Sequence, residues 1–284
     1  MKPTMAMAIL IGVMSVISCN NNNKTPGRQS GDETKQPDIK EEAVAYTADT
    51  AHMKSFVTYN ENKEGKRPGI LVVPEWWGLG DYVRNRAKQL AEMGYIAMAV
   101  DMYGDGKTAD NPKDAQALST PFYQNTSLSK NRLDAALNKL KSYAQTDTAN
   151  IAAIGYCFGG SVVLNAAKLG ANLKGVVSFH GGLSGAPADK RLLKAKVLVC
   201  HGEIDNFVPA PEVNAFRKGM DSIGADYTFK VYPNSTHAFT NPIADEWGKK
   251  FNMPLKYNAV ADSASWSDMK AFFSKIFTNN PSNN

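Results

Sequence analysis

Cysteine and histidine are scarce in this sequence, whose 284 residues include 3 cysteines and 4 histidines. These residues are too dispersed for the close spacing of metal ligands, so we expect no metal and no cofactor. Lysine and arginine are also scattered, without a run of five or more, and the formal net charge is +5. That distribution lacks the basic footprint of a nucleic-acid-binding protein, so we expect no nucleic-acid partner.

The sequence also lacks a hydrophobic run that is long enough to span a bilayer comfortably. Its apolar stretch 5–17 follows Lys2 and ends at Ser18-Cys19. A charged start, a short apolar centre and a small residue at the end are typical of an export signal. The four residues 16–19 (VISC) resemble the lipobox of bacterial lipoproteins, which implies cleavage before Cys19 and lipidation of Cys19. The alternative is a plain secretory signal with a coincidental cysteine.

The segment after this signal is polar, is punctuated by proline and glycine, and has no apolar period. Such composition predicts a disordered tether. We therefore assign residues 1–18 to a signal peptide, 19–45 to a disordered tether and 46–284 to one globular domain. This organisation predicts an exported protein that is lipid-anchored to a bacterial membrane through Cys19, in the periplasm or at the cell surface. We expect the domain to be a monomer.

The domain alternates apolar strands with amphipathic helices. Strands rich in Val, Ile and Leu between such helices predict an α/β fold with a mostly parallel sheet, covered by helices on both faces. An antiparallel edge hairpin is expected before the strand at 70–78, and the stretch 102–126 is predicted to be rich in loops. The further predicted strands are 95–101, 151–155, 174–179, 196–201 and 227–232. The predicted helices are 81–93, 128–144, 158–169, 211–223 and 259–277.

A strand-turn-helix pattern surrounds Cys157 in the sequence GYCFGG. It matches the nucleophile elbow, in which glycines two residues before and after the nucleophile let strand and helix approach closely. The turn also places the side chain at a helix N-terminus, which stabilises a thiolate. Taken alone, the glycines would equally suit a tight strand-to-helix connection or a phosphate-binding loop.

Two further residues follow strands on the same predicted edge of the sheet. Asp205 comes after the strand 196–201, and His237 follows the next strand. Nucleophile, acid and histidine in this chain order are typical of α/β-hydrolase triads. Taken singly, the aspartate could be a helix cap and the histidine a packing residue. We interpret His201 as a structural residue, and His180 as a packing residue that could alternatively border the site.

From about residue 46 to 277 the sequence resembles the dienelactone hydrolases, the carboxymethylenebutenolidase branch of the α/β-hydrolases. The matching pieces are VVPEWWGL, GYIAMAVDMYGDGK, GYCFGG, HGEIDNFVP and HAFTNP, and cysteine in the elbow is the specific mark. The resemblance implies an α/β-hydrolase fold and hydrolysis of small activated esters or lactones through a thioester. It implies Cys157 as nucleophile, His237 as base and acid, and Asp205 as the group that orients the imidazole.

The resemblance also implies a role for Glu75, whose family counterpart holds the cysteine as a resting thiol until substrate displaces it. A carboxylate at the end of a buried strand, flanked by two tryptophans, should itself have a raised pKa. We assign the oxyanion hole to the backbone N–H groups of Phe158 and Trp76. Aromatic residues near the strand ends are predicted to wall the substrate pocket, with plain core packing as the alternative. They are Trp76, Trp77, Tyr103, Phe122 and Tyr123.

The sequence departs from the family at two positions. Members that take dienelactone carboxylates have arginine where this chain has Asp105 and Asn241. A planar carboxylate would lose its bidentate partners, so the resemblance supports the chemistry more than the namesake substrate. Two other readings stay open: a non-catalytic or redox-active surface lipoprotein with a reactive thiol, and a carbohydrate-ester deacetylase.

Overall fold

The computed structural model describes residues 36–277. The predicted signal peptide 1–18, the lipidation of Cys19 and most of the predicted tether therefore lie outside the described residues. Within residues 36–277, no helix combines the length and the apolar character that crossing a bilayer requires.

The described residues form eight strands and seven helices. The strands are β1 (Ile39–Ala48), β2 (Ala51–Asn60), β3 (Arg67–Val73), β4 (Ile96–Ala99), β5 (Thr146–Tyr156), β6 (Gly175–Phe179), β7 (Lys196–Gly202) and β8 (Tyr227–Tyr232). The helices are α1 (Asp81–Glu92), α2 (Pro112–Gln124), α3 (Thr126–Lys141), α4 (Phe158–Lys168), α5 (Ala210–Ser222), α6 (Ala244–Phe251) and α7 (Ala259–Phe277).

All eight strands belong to one sheet, in the order β1-β2-β4-β3-β5-β6-β7-β8. β1 and β2 form an antiparallel hairpin, and β2 also pairs antiparallel with β4. Every other neighbouring pair is parallel. The mostly parallel α/β sheet predicted from the sequence is confirmed.

Apolar side chains on both faces of the sheet pack against helices, as runs of Val, Ile and Leu in the strands require. One face packs against α1 and α7 through Val83, Leu90, Met269 and Phe273. The other packs against α3, α4 and α5 through Leu133, Leu137, Val163, Phe216 and Met220. Buried on both sides, the central strands hold the loops at their carboxyl ends in fixed positions.

Four of these loops carry predicted site residues. Glu75 follows β3, Cys157 follows β5, Asp205 follows β7 and His237 follows β8. Because parallel strands end at the same edge of a sheet, all four side chains lie on one edge, where open α/β sheets bind their ligands.

The predicted boundary of the domain at residue 46 is wrong. β1 begins at Ile39, so residues 39–45 of the predicted tether are part of the sheet. Because of its charged side chains, this edge strand has no clear apolar pattern in the sequence. Its backbone nevertheless pairs with β2 along its whole length. The edge hairpin consists of β1 and β2, and β4 separates β2 from β3.

Two helices were not expected. The predicted loop-rich stretch 102–126 contains α2, whose N-cap Asn111 accepts a hydrogen bond from the Asp114 N–H. Pro121 inside this helix masked its period, since proline usually ends a helix. The short helix α6 carries a single fully buried residue, Ala244, so it has little periodic signal.

Candidate active site

Cys157 occupies a strained turn between β5 and α4. Its backbone has φ 51° and ψ −115°, a region that non-glycine residues rarely adopt. The Cys157 N–H donates to the Phe179 carbonyl at 3.0 Å and to His180 Nδ1 at 3.1 Å. This turn leaves the thiol half-buried at the first turn of α4, as an elbow requires.

Two glycines make this turn sterically feasible. A Cβ on Gly155 would lie 2.0 Å from the carbonyl oxygen of Gly159, and a Cβ on Gly159 would lie 2.3 Å from the Val73 carbonyl oxygen. Both obstacles are backbone atoms, which cannot rotate away. The glycines therefore serve strand-helix contact, as the sequence predicted.

His237 and Asp205 form a buried hydrogen-bonded pair beside Cys157. Asp205 Oδ2 accepts from His237 Nδ1 at 2.8 Å, and Asp205 Oδ1 accepts from the Phe207 N–H at 2.9 Å. The Asp205 carboxylate is fully shielded from solvent. With Nδ1 committed to Asp205, the other ring nitrogen of His237 is left for the thiol.

The environment of His237 favours its protonated form. Burial alone would lower the pKa of His237, but the Cys157 thiolate and the Asp205 carboxylate together raise this pKa well above its usual value. The three side chains thus form one charge-coupled unit, in which a proton on the imidazole is stabilised from both sides.

His180, interpreted from the sequence as a packing residue that could border the site, supports this unit without joining it. Its Nε2 lies 2.8 Å from Thr240 Oγ1, and its ring packs edge-on against that of His237. Burial lowers the pKa of His180 well below its usual value, and the charge on His237 lowers it further. A neutral His180 can accept the Cys157 N–H at Nδ1 and fixes the elbow backbone.

Glu75 lies beside this unit, 4% exposed, and bonds to a residue 166 positions away. Asn241 Nδ2 donates to Glu75 Oε2 at 2.7 Å. Burial raises the pKa of Glu75 to about 7, although the Asn241 hydrogen bond and the charges of His237 and Arg86 oppose the rise. The predicted raised pKa of this carboxyl is therefore present, and Asn241 occupies the place where the family resemblance would put an arginine.

A raised pKa makes Glu75 a source of pH-dependent stability. Folding favours the protonated carboxyl, so its contribution is complete below the usual pKa of 4.5 and is lost as pH rises toward 7. We expect Glu75→Gln to remove roughly 3 kcal/mol of this pH-dependent change in unfolding free energy. Urea denaturation at several pH values would measure the slope.

The control for this measurement is Glu64→Gln, which removes an exposed carboxylate on the β2–β3 loop. Equal pH slopes for the wild type and Glu75→Gln would show that the buried carboxyl titrates normally.

A cavity of about 480 Å³ opens above Cys157 and His237. Glu75, Trp76, Trp77 and Tyr123 line it as well, so the structure brings most of the predicted site residues together. Further lining residues come from α2, α4, α5, α6 and the loops beside them. They include Gln116, Thr120, Ser161, Gly182, Phe207, Glu212, Trp247, Met253 and Leu255.

Two predicted pocket aromatics do not line the cavity. Tyr103 and Phe122 are buried in the core, where both pack against Phe158. The Tyr103 hydroxyl donates to the Trp76 carbonyl at 2.9 Å and so anchors the loop after β3. These two rings point into the core, where they gain packing contacts, and not into the cavity. They therefore support the pocket from behind.

Sequence reasoning missed the aromatic wall that α6 and the Asp205 loop provide. In α6, Trp247 packs against Trp77 in a tilted arrangement at a centroid distance of 4.6 Å, and Phe251 stacks with Trp77 at 5.7 Å. Phe207 packs against the His237 ring at 4.9 Å. Trp247 and Phe251 lie in α6, well after the end of β8, so their contact with Trp77 depends on how distant segments pack and has no local sequence signal.

The two backbone N–H groups assigned to the oxyanion hole belong to Phe158, next to Cys157 in the chain, and to Trp76. Phe158 is the first residue of α4, so its N–H has no helical partner one turn earlier. Trp76 lies in the turn that follows β3 and lines the same cavity as Cys157. Their assignment stays a prediction.

The two departures from the family differ in placement. Asn241 bonds to Glu75, as described above, whereas Asp105 is exposed in a loop at φ 57° and does not line the cavity. Neither lysine nor arginine is among the residues that line this cavity within the described part of the chain. In the same residues 36–277, no group of three or more His, Cys, Asp or Glu is arranged to hold a metal ion.

Fold and site together define an α/β-hydrolase, and comparison with known proteins narrows the class. The chain belongs to the dienelactone hydrolase family, whose model matches residues 53–277. It is accordingly an enzyme of the carboxylic-ester hydrolase class, acting on a small-molecule substrate.

Relatives and solved structures agree with this assignment. The chain is 30% identical over 219 residues to protein usf of Aquifex pyrophilus, covering 74% of this chain and 89% of the relative. A protein of Methylorubrum extorquens, provisionally named carboxymethylenebutenolidase, is 29% identical over 215 residues, or 64% of this chain and 70% of the relative.

Among crystal structures, a dienelactone hydrolase-like promiscuous phosphotriesterase from metagenomic libraries is 33% identical, with a TM-score of 0.79. The match covers 84% of this chain and 98% of that one.

Proposed function

We propose that this protein hydrolyses small activated esters or lactones through Cys157, His237 and Asp205. The observation that carries the proposal is the Asp205–His237 hydrogen bond of 2.8 Å, buried beside a cysteine in a strained, glycine-flanked elbow. A nucleophile, a base within reach and a third group that orients the base are the requirements for covalent catalysis.

The proposed reaction begins when His237 takes the thiol proton of Cys157. The thiolate attacks the carbonyl carbon, and the N–H groups of Phe158 and Trp76 stabilise the resulting oxyanion. The single bond between the former carbonyl carbon and the ester oxygen then breaks, the departing oxygen takes the proton from His237, and a thioester remains. Water gives a proton to His237 and attacks the thioester, the carbon–sulfur bond breaks, and the thiol regains its proton.

The nucleophile limits the substrates. A thiolate leaves a tetrahedral intermediate more readily than an ordinary alkoxide, so the intermediate returns to substrate unless the substrate oxygen also leaves easily. Lactones, enol esters and other activated esters meet this condition and amides do not. Binding of an apolar acyl group would remove the aromatic lining of the cavity from contact with water, which favours such acyl groups.

Glu75 supports the same cycle in this proposal. A carboxyl with a pKa of about 7 exchanges a proton readily near neutral pH, which suits a group that keeps Cys157 protonated between turnovers. Its hydrogen bond from the neutral amide of Asn241 leaves that protonation possible, where a cation would oppose it.

Mass spectrometry of protein quenched during ester turnover tests the proposal. The acyl mass is expected on the peptide that contains Cys157. Only oxidised forms of that peptide would instead favour a redox lipoprotein, and turnover restricted to acetylated sugars would favour a carbohydrate-ester deacetylase.

We also propose that residues 1–18 are removed and that Cys19 carries a lipid, which anchors the enzyme to a bacterial membrane. The support is the sequence VISC after a short apolar segment, followed by a polar stretch. Bacteria fed a clickable palmitate analogue should label the full-length wild type. Label on Cys19→Ser equal to that on wild type would contradict this anchor.

A further inference from the structure

The lining of the cavity above Cys157 holds carboxyl groups but no lysine or arginine side chain within the described residues. These carboxyl groups belong to Glu75 and Glu212. Glu75 is 4% exposed and its Oε2 is engaged by Asn241, whereas Glu212 is half-buried and therefore more accessible to a bound molecule.

Glu212 is held in place by the loop opposite it. In the first turn of α5, its Oε1 accepts from the backbone N–H of Leu183 at 2.6 Å and of Ser184 at 2.9 Å. No hydrogen bond within residues 36–277 engages its second oxygen. The carboxylate is therefore fixed in direction and keeps one acceptor oxygen available.

Gly182 and Ser161 form the neighbouring wall. A Cβ on Gly182 would lie 3.0 Å from Ser161 Oγ and 3.7 Å from Glu212 Oε1, so the absent side chain leaves room between these oxygens. Ser161 is 3% exposed, lines the cavity and has no hydrogen-bond partner within the described residues. A buried hydroxyl without a partner is costly and suits a ligand that completes it.

Tyr123 joins this corner to the nucleophile. Tyr123 is 52% exposed and lines the same cavity as Cys157, Ser161 and Glu212. Its phenol lies near Ser161, but the two groups do not meet hydrogen-bond geometry, so the Ser161 hydroxyl has no partner within the described residues. Since Ser161 lies one helical turn after Cys157, the corner is roughly 6 Å from the nucleophile along α4.

We propose that Glu212, with Ser161 beside it, determines specificity by binding a hydrogen-bond donor of the substrate, a hydroxyl or an ammonium group, and by excluding carboxylates. This inference rests on the proposed hydrolysis at Cys157 and names its substrate class. A hydroxyl can donate to Glu212 and accept from Ser161 at once, and an ammonium group gains from the negative charge. A substrate carboxylate would meet like charge in a site with low access to water.

Lys168 does not cancel this selectivity. It is 6% exposed behind the 183–186 loop, where its Nζ donates to the Leu183 carbonyl at 3.2 Å. Burial lowers the pKa of Lys168 to about 8, and Glu212 opposes that shift. Lys168 does not line the cavity, so it supports the loop and offers no contact to an anionic substrate.

The test uses p-nitrophenyl esters of benzoic acids that carry a methyl, hydroxymethyl, aminomethyl or carboxyl group at the para or meta position. These rigid acids cannot cyclise, and their alkaline hydrolysis rates correct for electronic differences. For the wild type, kcat/KM relative to the methyl ester is expected to fall about tenfold for the carboxyl ester. It should rise for the hydroxymethyl ester, the aminomethyl ester or both, and the larger rise identifies the donor.

Glu212→Gln keeps an acceptor for Leu183 and Ser184 and removes the charge. We expect the penalty on the carboxyl ester and any gain for the aminomethyl ester, both measured as kcat/KM relative to the methyl ester of the same variant, to disappear. Glu203→Gln is the matched control, because Glu203 is an exposed carboxylate outside the cavity that also accepts a backbone N–H, from Asn234 at 2.9 Å. It should keep the wild-type ratios.

Unchanged ratios in Glu212→Gln, with methyl-ester hydrolysis abolished in Cys157→Ala, would overturn the specificity role alone. Persistent hydrolysis in Cys157→Ala, or no turnover of the methyl ester by the wild type, would overturn the proposed function and this inference with it.

Discussion

Replacing Cys157 by alanine is expected to lower kcat/KM for activated esters by at least about a thousandfold, to the background rate. The thioester cannot form without the sulfur, because the acyl group has no other covalent acceptor in the proposed mechanism. Alanine suffers the same backbone strain at φ 51° as cysteine does, so the fold should be kept. Initial rates with p-nitrophenyl acetate would measure the loss.

Cys200→Ala is the matched control for this variant. Cys200 is also a free thiol, but it is fully buried in β7, where burial raises its pKa to about 12. Removing it should cost about 1–2 kcal/mol of stability through the small cavity left behind, with activity per folded molecule unchanged. Comparison of the two variants thus distinguishes the effect of removing any thiol from the effect of removing the proposed nucleophile.

His237→Ala should match the loss seen in Cys157→Ala, because residues that act as one unit are not additive. The double variant should then be no slower than either single one. Full esterase activity in Cys157→Ala would place the chemistry elsewhere in the protein.

The parts of the site that the sequence revealed are those fixed by local chain geometry. Cys157 sits between a strand and a helix with strong apolar patterns, and Gly155 before it contacts Gly159, only four residues further along the chain. Asp205 and His237 each follow a strand of the same parallel sheet. Once the strands were recognised, the shared edge of the sheet brought the three residues together without further information.

The parts that the sequence hid depend on contacts between distant or weakly patterned segments. The bond between Glu75 and Asn241 joins two loops whose meeting no local signal specifies. The cavity wall contributed by Gln116 and Thr120 belongs to α2, whose internal proline suggested loops, and Trp247 belongs to the short helix α6. The sequence also does not show which way a side chain points. Tyr103 was predicted to line the pocket, but it is buried in the core.

The glycine at the end of β5 offers the largest expected effect on stability. A Cβ at Gly155 would lie 2.0 Å from the Gly159 oxygen and 2.7 Å from the Gly160 nitrogen, far inside contact distance. Because both are backbone atoms at the start of α4, the helix must shift away from the sheet and the elbow must open. We expect Gly155→Ala to lower the free energy of unfolding by roughly 3–5 kcal/mol and to abolish ester hydrolysis.

Gly219→Ala controls for the chemical change itself. Gly219 lies in α5 with no atom within 4 Å of the added Cβ, so alanine should raise stability by about 0.5–1 kcal/mol through helix propensity. Urea denaturation followed by circular dichroism would compare the stabilities of the two variants. If Gly155→Ala yielded no folded protein on expression while Gly219→Ala did, that outcome would also support the expected destabilisation. If Gly155→Ala instead unfolded at the wild-type urea concentration, the close contact between strand and helix would not be what requires glycine here. An added methyl group is thus expected to lower stability at Gly155 and to raise it at Gly219, because only the Cβ at Gly155 would meet backbone atoms.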